Sequence, residues 1–182
     1  SSLQVAFGSH TRQPLLIRAW FAEHSTAASV LLPAFPSILS NLYYIGGSFG
    51  GGLGALMLPW DKRFIKAALA VPTFGHHPIR LTCPCVGSGE SVRKYYLSHP
   101  EVIDVLRYYD AATAATRIRI PMALSAARYD PAVPPPGQYA VCNAIPSPKE
   151  LFVLSMGHRD YPENAASAAR INAYLRNEFF VD

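Results

Sequence analysis

Charge is scarce in this chain. Asp, Glu, Lys and Arg make up only 15% of its 182 residues, while half are hydrophobic. That balance supplies enough apolar surface to offset chain entropy, so a disordered chain is not expected. The net charge is +4, but the basic side chains do not gather. Arg117 and Arg119 alternate before Ile120, and Arg12, Arg18, Lys62, Arg63 and Lys66 are scattered through the first third. A phosphate backbone needs a basic stripe, so no nucleic-acid partner is expected. Cysteine is also rare: Cys83, Cys85 and Cys142 leave at least one thiol unpaired. Cys83-Pro84-Cys85 is too tightly spaced for an ordinary bridge or a Cys-x-x-Cys site, and a reduced, cytoplasmic setting follows as the simpler expectation. Long apolar runs are missing. Ala27 to Phe35 is too short to cross a membrane and is interrupted by Pro33, with Pro36 just beyond. Ser1 to Phe7 has no basic stretch leading into an apolar one, so no secretory signal is expected. The length suits one domain spanning 1–182.

What is present reads as alternating strands and helices. Gln4 to Gly8 is a short strand, and a helix runs from about Leu15 to Leu32 before Pro33 and Pro36 stop it. Leu42 to Ile45 is a buried strand entering a glycine-rich turn, and Gly51 to Leu58 resumes as a helix of small residues. Ala67 to Val71 is a strand, Val92 to Tyr109 a helix with a break at Pro100, and Pro121 to Ala126 a strand. Pro134 to Pro136 reads as a rigid loop. Gly137 to Ala144 is then a helix, Leu151 to Leu154 a strand, and Glu163 to Phe180 a closing helix. Strands alternating with helices imply a mostly parallel sheet flanked by helices.

Gly46-Gly47-Ser48-Phe49-Gly50 matches G-x-S-x-G between a predicted strand and a predicted helix. In that context the serine sits on a tight turn with its hydroxyl exposed, and the backbone N–H of the next residue, Phe49, supplies an oxyanion donor. Outside that context the pattern is only a glycine-rich turn. A serine hydroxyl needs a base, and the base an orienting group, in the downstream order Ser, Asp, His. Asp130 lies in the loop after the strand ending at Ala126, where it could equally cap the next segment or form a turn before Pro131. His158 follows the strand Leu151 to Leu154 and suits the base; Asp160 is the competing carboxylate. His10, His24, His76, His77 and His99 read as surface or satisfied core residues, and none has zinc-ligand spacing. No metal or cofactor is expected.

Several stretches together resemble the acetyl xylan esterase/cephalosporin C deacetylase family, carbohydrate esterase family seven. They are Gly46 to Gly52, Ser98-His99-Pro100-Glu101, Tyr109-Asp110, Arg117 to Pro121, Tyr129-Asp130 with Pro134-Pro135, Gln138 to Ile145, Pro148 to Leu151, and Gly157-His158. The resemblance covers about Phe21 to His158. It implies an α/β-hydrolase fold, Ser48, Asp130 and His158 as catalytic residues, a small acetylated substrate, and a homo-oligomer, hexameric in the family. This chain departs from the family at three signature positions: Arg12-Gln13 lacks the intervening glycine, Phe49 replaces Gln, and Arg159 replaces Glu. Aligned through Arg12-Gln13, the chain would begin near the fourth strand of the hydrolase sheet. The expectation is then an N-terminally truncated fold with an uncovered strand at Gln4 to Gly8, no second oxyanion donor, and weak activity. Three functions compete on this reading: an acetyl-ester hydrolase working through an acyl-enzyme, a degenerate non-catalytic module with a binding or assembly role, and a serine peptidase of related fold.

Overall fold

The computed structural model describes residues 42–181 together with Ser29. The expected strand Gln4 to Gly8, most of the expected helix Leu15 to Leu32, and Arg12-Gln13 lie outside the described residues.

The described elements run β1 (Tyr43–Gly47), α1 (Phe49–Met57), β2 (Lys66–Ala70), α2 (His77–Arg80), α3 (Gly89–Ser98), α4 (Ile103–Leu106), α5 (Ala111–Ala115), β3 (Met122–Tyr129), α6 (Pro135–Ala144), β4 (Lys149–Met156) and α7 (Asn164–Tyr174). The four described strands pair in parallel in the order β1-β2-β3-β4. Parallel neighbours need a crossover, and the helices between them supply it.

Alternation along the strands divides the sheet into two faces. Tyr44, Ala67, Leu69, Met122, Leu124 and Ala126 bury themselves against Ala55, Leu56 and Met57 of α1, against α5, and against Val141 and Cys142 of α6. Ala68 and Ala123 on the other face meet Phe179, with Tyr174, Leu175 and Phe180 packed around it. A cavity of about 300 Å³ lies on this second side, between the strands and the Ile171 to Leu175 stretch, with Ile45, Ala68, Ala123 and Phe152 in its wall.

Several boundaries differ from the sequence reading. The strand expected to stop at Ala126 continues to Tyr129, because its ladder with β4 persists to the Tyr129–Met156 pair even where the side chains emerge. The strand expected at Leu151 to Leu154 is extended at both ends for the same reason. Pro135 and Pro136 are the first two residues of α6 rather than a loop, since the opening turn of a helix needs no N–H from them. The expected helix Val92 to Tyr109 begins earlier, at Gly89, and ends at Ser98; after Pro100 only short turns follow. The closing helix is α-helical to Tyr174 and then widens into a π turn, Leu175–Phe179, that inserts Phe179 under the sheet. Among the described residues no helix is long and apolar enough to cross a membrane.

Candidate active site

Three strands deliver three side chains to one edge. Ser48 follows β1, Asp130 follows β3, and His158 stands two residues beyond β4. Because the strands are parallel, these positions all lie at the C-terminal end of the sheet, where open α/β folds bind their ligands.

The turn at Ser48 is forced by packing. The Ser48 N–H donates to Ala70 O at 2.8 Å, extending the β1–β2 ladder by one residue. The next peptide must then reverse into α1, and Ser48 adopts φ 53°, ψ −114°. A non-glycine residue there costs on the order of 1–3 kcal/mol. Room for the reversal comes from Gly46: a Cβ at that position would lie 2.6 Å from Gly50 O and 2.7 Å from Tyr44 Cε1. Tyr44 then locks the turn, its hydroxyl donating to Gly50 O at 2.7 Å. The outcome is a serine presented at the head of a nine-residue helix whose first residue is Phe49. The N-terminal end of that helix carries a partial positive charge suited to a developing oxyanion. The ring of Phe49 packs edge-on against Phe74 at 5.2 Å, so an aromatic wall stands where the resemblance would place an amide.

Asp130 is both of the things its sequence position allowed. Its Oδ1 accepts from the N–H groups of Ala132 and Val133 at 2.9 and 3.0 Å, forming the turn before α6. Its Oδ2 meets His158 Nδ1 at 2.8 Å, and its side chain is 0% exposed. His158, with φ 53° and a side chain 27% exposed, reaches back so that Nε2 lies 2.8 Å from Ser48 Oγ. A carboxylate at Nδ1 can only accept, so Nδ1 carries the proton and neutral Nε2 is left as acceptor for the serine hydroxyl. Asp160, the competing carboxylate, is occupied by Asn164 Nδ2 instead.

These contacts shift both groups. Burial by itself pushes the Asp130 carboxyl up, but hydrogen bonds from His158, Val133 and Ala132 hold it below the ordinary 3.8. The hydrogen bond to Asp130 raises His158 above its ordinary 6.5, against the opposing effect of burial. His158 must be neutral to accept the Ser48 proton. The acid limb of kcat/KM should therefore have its midpoint above pH 6.5, read from a pH–rate profile on an aryl acetate; a midpoint at or below 6.5 would show that another group limits the rate. Stability runs the other way. The raised His158 stabilises the fold fully below about 6.5 and loses that contribution as pH rises through its folded value. The depressed Asp130 contributes above about 3.8 and loses its contribution as pH falls through its folded value. The pair thus supports the fold best between those limits, and activity rises where its contribution to stability declines.

Gly157 is a residue that the sequence reading did not single out. A Cβ there would overlap Asp130 Oδ2 and Cγ. Gly157→Ala should push the carboxylate off His158 and lower kcat by about 100-fold, the order expected for a displacement near 1 Å, with only a small change in Tm. Equal losses in Tm and kcat would mean that the whole β3–β4 edge had moved instead.

The remaining described histidines stand apart. His77 is buried, with Nε2 donating to Tyr109 O and Nδ1 facing the Arg80 guanidinium; burial first, then that charge, push it down to about 4. His99 stacks on Tyr95, and His76 accepts from the Ile79 N–H. Among the described residues no group of His, Cys, Asp and Glu could hold a metal ion.

Residues 10–177 match the family described as Acetyl xylan esterase (AXE1). The chain belongs to the acetyl xylan esterase family. The acetyl esterase Axe7A of Xylanibacter ruminicola is 28% identical over 113 residues, 62% of this chain and 26% of that protein. The acetyl xylan esterase from Paenibacillus sp. R4 superposes with a TM-score of 0.64 at 25% identity, covering 75% of this chain and 46% of its own. Acetyl xylan esterase 1 from Thermoanaerobacterium sp. JW/SL YS485 gives 0.67 at 21% identity, covering 85% and 52%. The fold is that of an α/β-hydrolase, with a parallel sheet flanked by helices. This acetyl xylan esterase family member spans about a quarter of the length of the curated relative and about half of each of the two esterase structures.

Proposed function

We propose that this chain is a serine ester hydrolase that removes acetyl groups from acetylated sugars or similar small esters. The observation that carries the reading is the unbroken run of hydrogen bonds from Ser48 Oγ through His158 to the buried Asp130. An apolar-packed turn has no need of that sequence of groups, whereas an acyl transfer needs each of them.

The steps follow from the geometry. His158 Nε2 takes the Ser48 proton as Oγ attacks the acetyl carbonyl, and Asp130 stabilises the imidazolium that results. The oxyanion develops toward the N-terminal end of α1, where the Phe49 backbone N–H is the donor. Collapse breaks the bond to the alcohol oxygen, which leaves with the proton from His158, and acetyl-Ser48 remains. Water, deprotonated by His158, then attacks the acyl group; acetate departs and Ser48 recovers its proton. No cofactor enters this sequence. Acetyl as the acyl group, and a sugar as the alcohol, rest on the family and on the names of the two esterases and the acetyl esterase it resembles.

Acetate release from 4-nitrophenyl acetate and from a per-acetylated xylose, together with fluorophosphonate labelling mapped to Ser48, tests the proposal. Absence of both turnover and labelling in folded protein would favour a non-catalytic role. We extend the proposal to a homo-oligomer in a reducing, cytoplasmic setting, supported by the family resemblance and by the three free thiols. A monomer in light scattering would overturn the assembly.

A further inference from the structure

β2 leaves the sheet before β3 ends. The last ladder bond between them runs from the Val71 N–H to Ser125 O, and β3 continues to Tyr129. On that side the next inward-facing donor of β3, the Ala127 N–H, has no strand to meet. The side chain of Gln138, from α6, takes the place of the missing strand: its Oε1 accepts from Ala127 N at 2.8 Å. Its Nε2 then faces two acceptors, Val133 O at 2.7 Å and Asp130 Oδ2 at 2.9 Å. This is the one orientation of the amide that matches every donor to an acceptor, since the flipped group would turn its oxygen toward a carbonyl and a carboxylate. Gln138 is 0% exposed, so no water substitutes for these bonds.

We propose that Gln138 is a positioning residue of the hydrolytic site, holding Asp130 in the rotamer that meets His158 and sharing the same carboxylate oxygen with the imidazole. The proposal rests on the reading of Ser48, Asp130 and His158 as the catalytic residues. Asp130 Oδ2 receives His158 Nδ1–H on one side and Gln138 Nε2–H on the other, while Oδ1 is held by two backbone N–H groups. Among the described groups bonded to the carboxylate, His158 is the one that can be charged; Gln138 from α6 and the backbone of 132 and 133 are neutral. Charge drawn toward Gln138 is charge not offered to the imidazolium. Gln138 therefore moderates the hold of Asp130 on His158 as well as aiming it.

The test is a variant that keeps the volume and removes the amide, both its Nε2 donors and the Oε1 that accepts from Ala127. Gln138→Met should lower kcat about tenfold or more with KM little changed, the order expected when a hydrogen bond to a charged group is lost. It should also move the His158 titration, followed by NMR of the imidazole, to higher pH, because the unshared carboxylate favours the imidazolium more strongly. A purely structural glutamine would lower Tm and leave that titration where it is in the parent chain, and this outcome would overturn the proposal. In the unmutated chain the Gln138 side-chain amide resonances should shift as His158 titrates, with the same midpoint; invariant resonances would also overturn it. Neither NMR readout requires turnover. An inactive chain whose two titrations behave as described would therefore count against the hydrolase reading and not against the coupling of Gln138 to the pair.

Discussion

Ser48→Ala should abolish acetate release and fluorophosphonate labelling while leaving the fold in place. The expected loss in kcat is on the order of a million-fold, the scale seen when a serine nucleophile is removed from a hydrolase whose other groups remain. Folding should be little affected. The elbow is held by backbone and packing interactions that an alanine keeps: the Ser48 N–H on Ala70 O, the Thr73 and Gly52 N–H groups on Ser48 O, and the Tyr44 hydroxyl on Gly50 O. The lost side-chain contact is the single bond to His158, at a site partly open to water. A circular-dichroism melt beside the rate measurement separates the two effects. Retained turnover in folded Ser48→Ala protein would remove Ser48 from the mechanism, and the strain at its φ of 53° would then need another explanation.

For Asp130→Asn we expect a loss of about 10⁴ in kcat, and the surroundings of the carboxylate say why. Two backbone N–H groups point at Oδ1, so the amide oxygen of an asparagine would occupy that position. The amide nitrogen would then stand at Oδ2, facing the Gln138 Nε2–H and His158 Nδ1. Against Gln138 it sets donor to donor. Against His158 it requires Nδ1 to become an acceptor, which moves the ring proton to Nε2 and leaves nothing to take the Ser48 hydrogen. The variant should therefore keep its shape, lose its rate, and show an imidazole tautomer reversed by NMR. A loss below tenfold with the parental tautomer would mean that Asp130 is chiefly a turn residue before α6, which its bonds to Ala132 and Val133 would then account for.

The same residues show how a local pattern becomes a site. Gln138 and Gly157 fall in stretches that resemble the family, but the stretches do not show what either does: one reads as a polar position in a helix, the other as a glycine before a histidine. Their significance lies in distances across the fold. Gln138 matters because β2 ends at Ala70 while β3 goes on, and Gly157 because Asp130 Oδ2 occupies the space a side chain would need. Strand ends likewise follow backbone pairing that outlasts the apolar pattern, as at Tyr129. The prolines at 135 and 136 open a helix because the residues after them pack on β3.

By itself the sequence determined the class of fold, the order of its described elements, and the residues in which acyl-transfer chemistry could reside. Short apolar strand runs alternating with helix patterns set the first two, and G-x-S-x-G followed by an Asp and a His after successive strands set the third. These are short-range features, written in neighbouring residues and in the order of segments along the chain. Tertiary structure alone decided that His158 meets Asp130 and not Asp160, that Asp130 is fully enclosed, and that Gln138 shares its oxygen. The parallel register brings the ends of β1, β3 and β4 to one edge, and the contact between Ser48 and His158, 110 positions apart in the chain, arises only once that register exists.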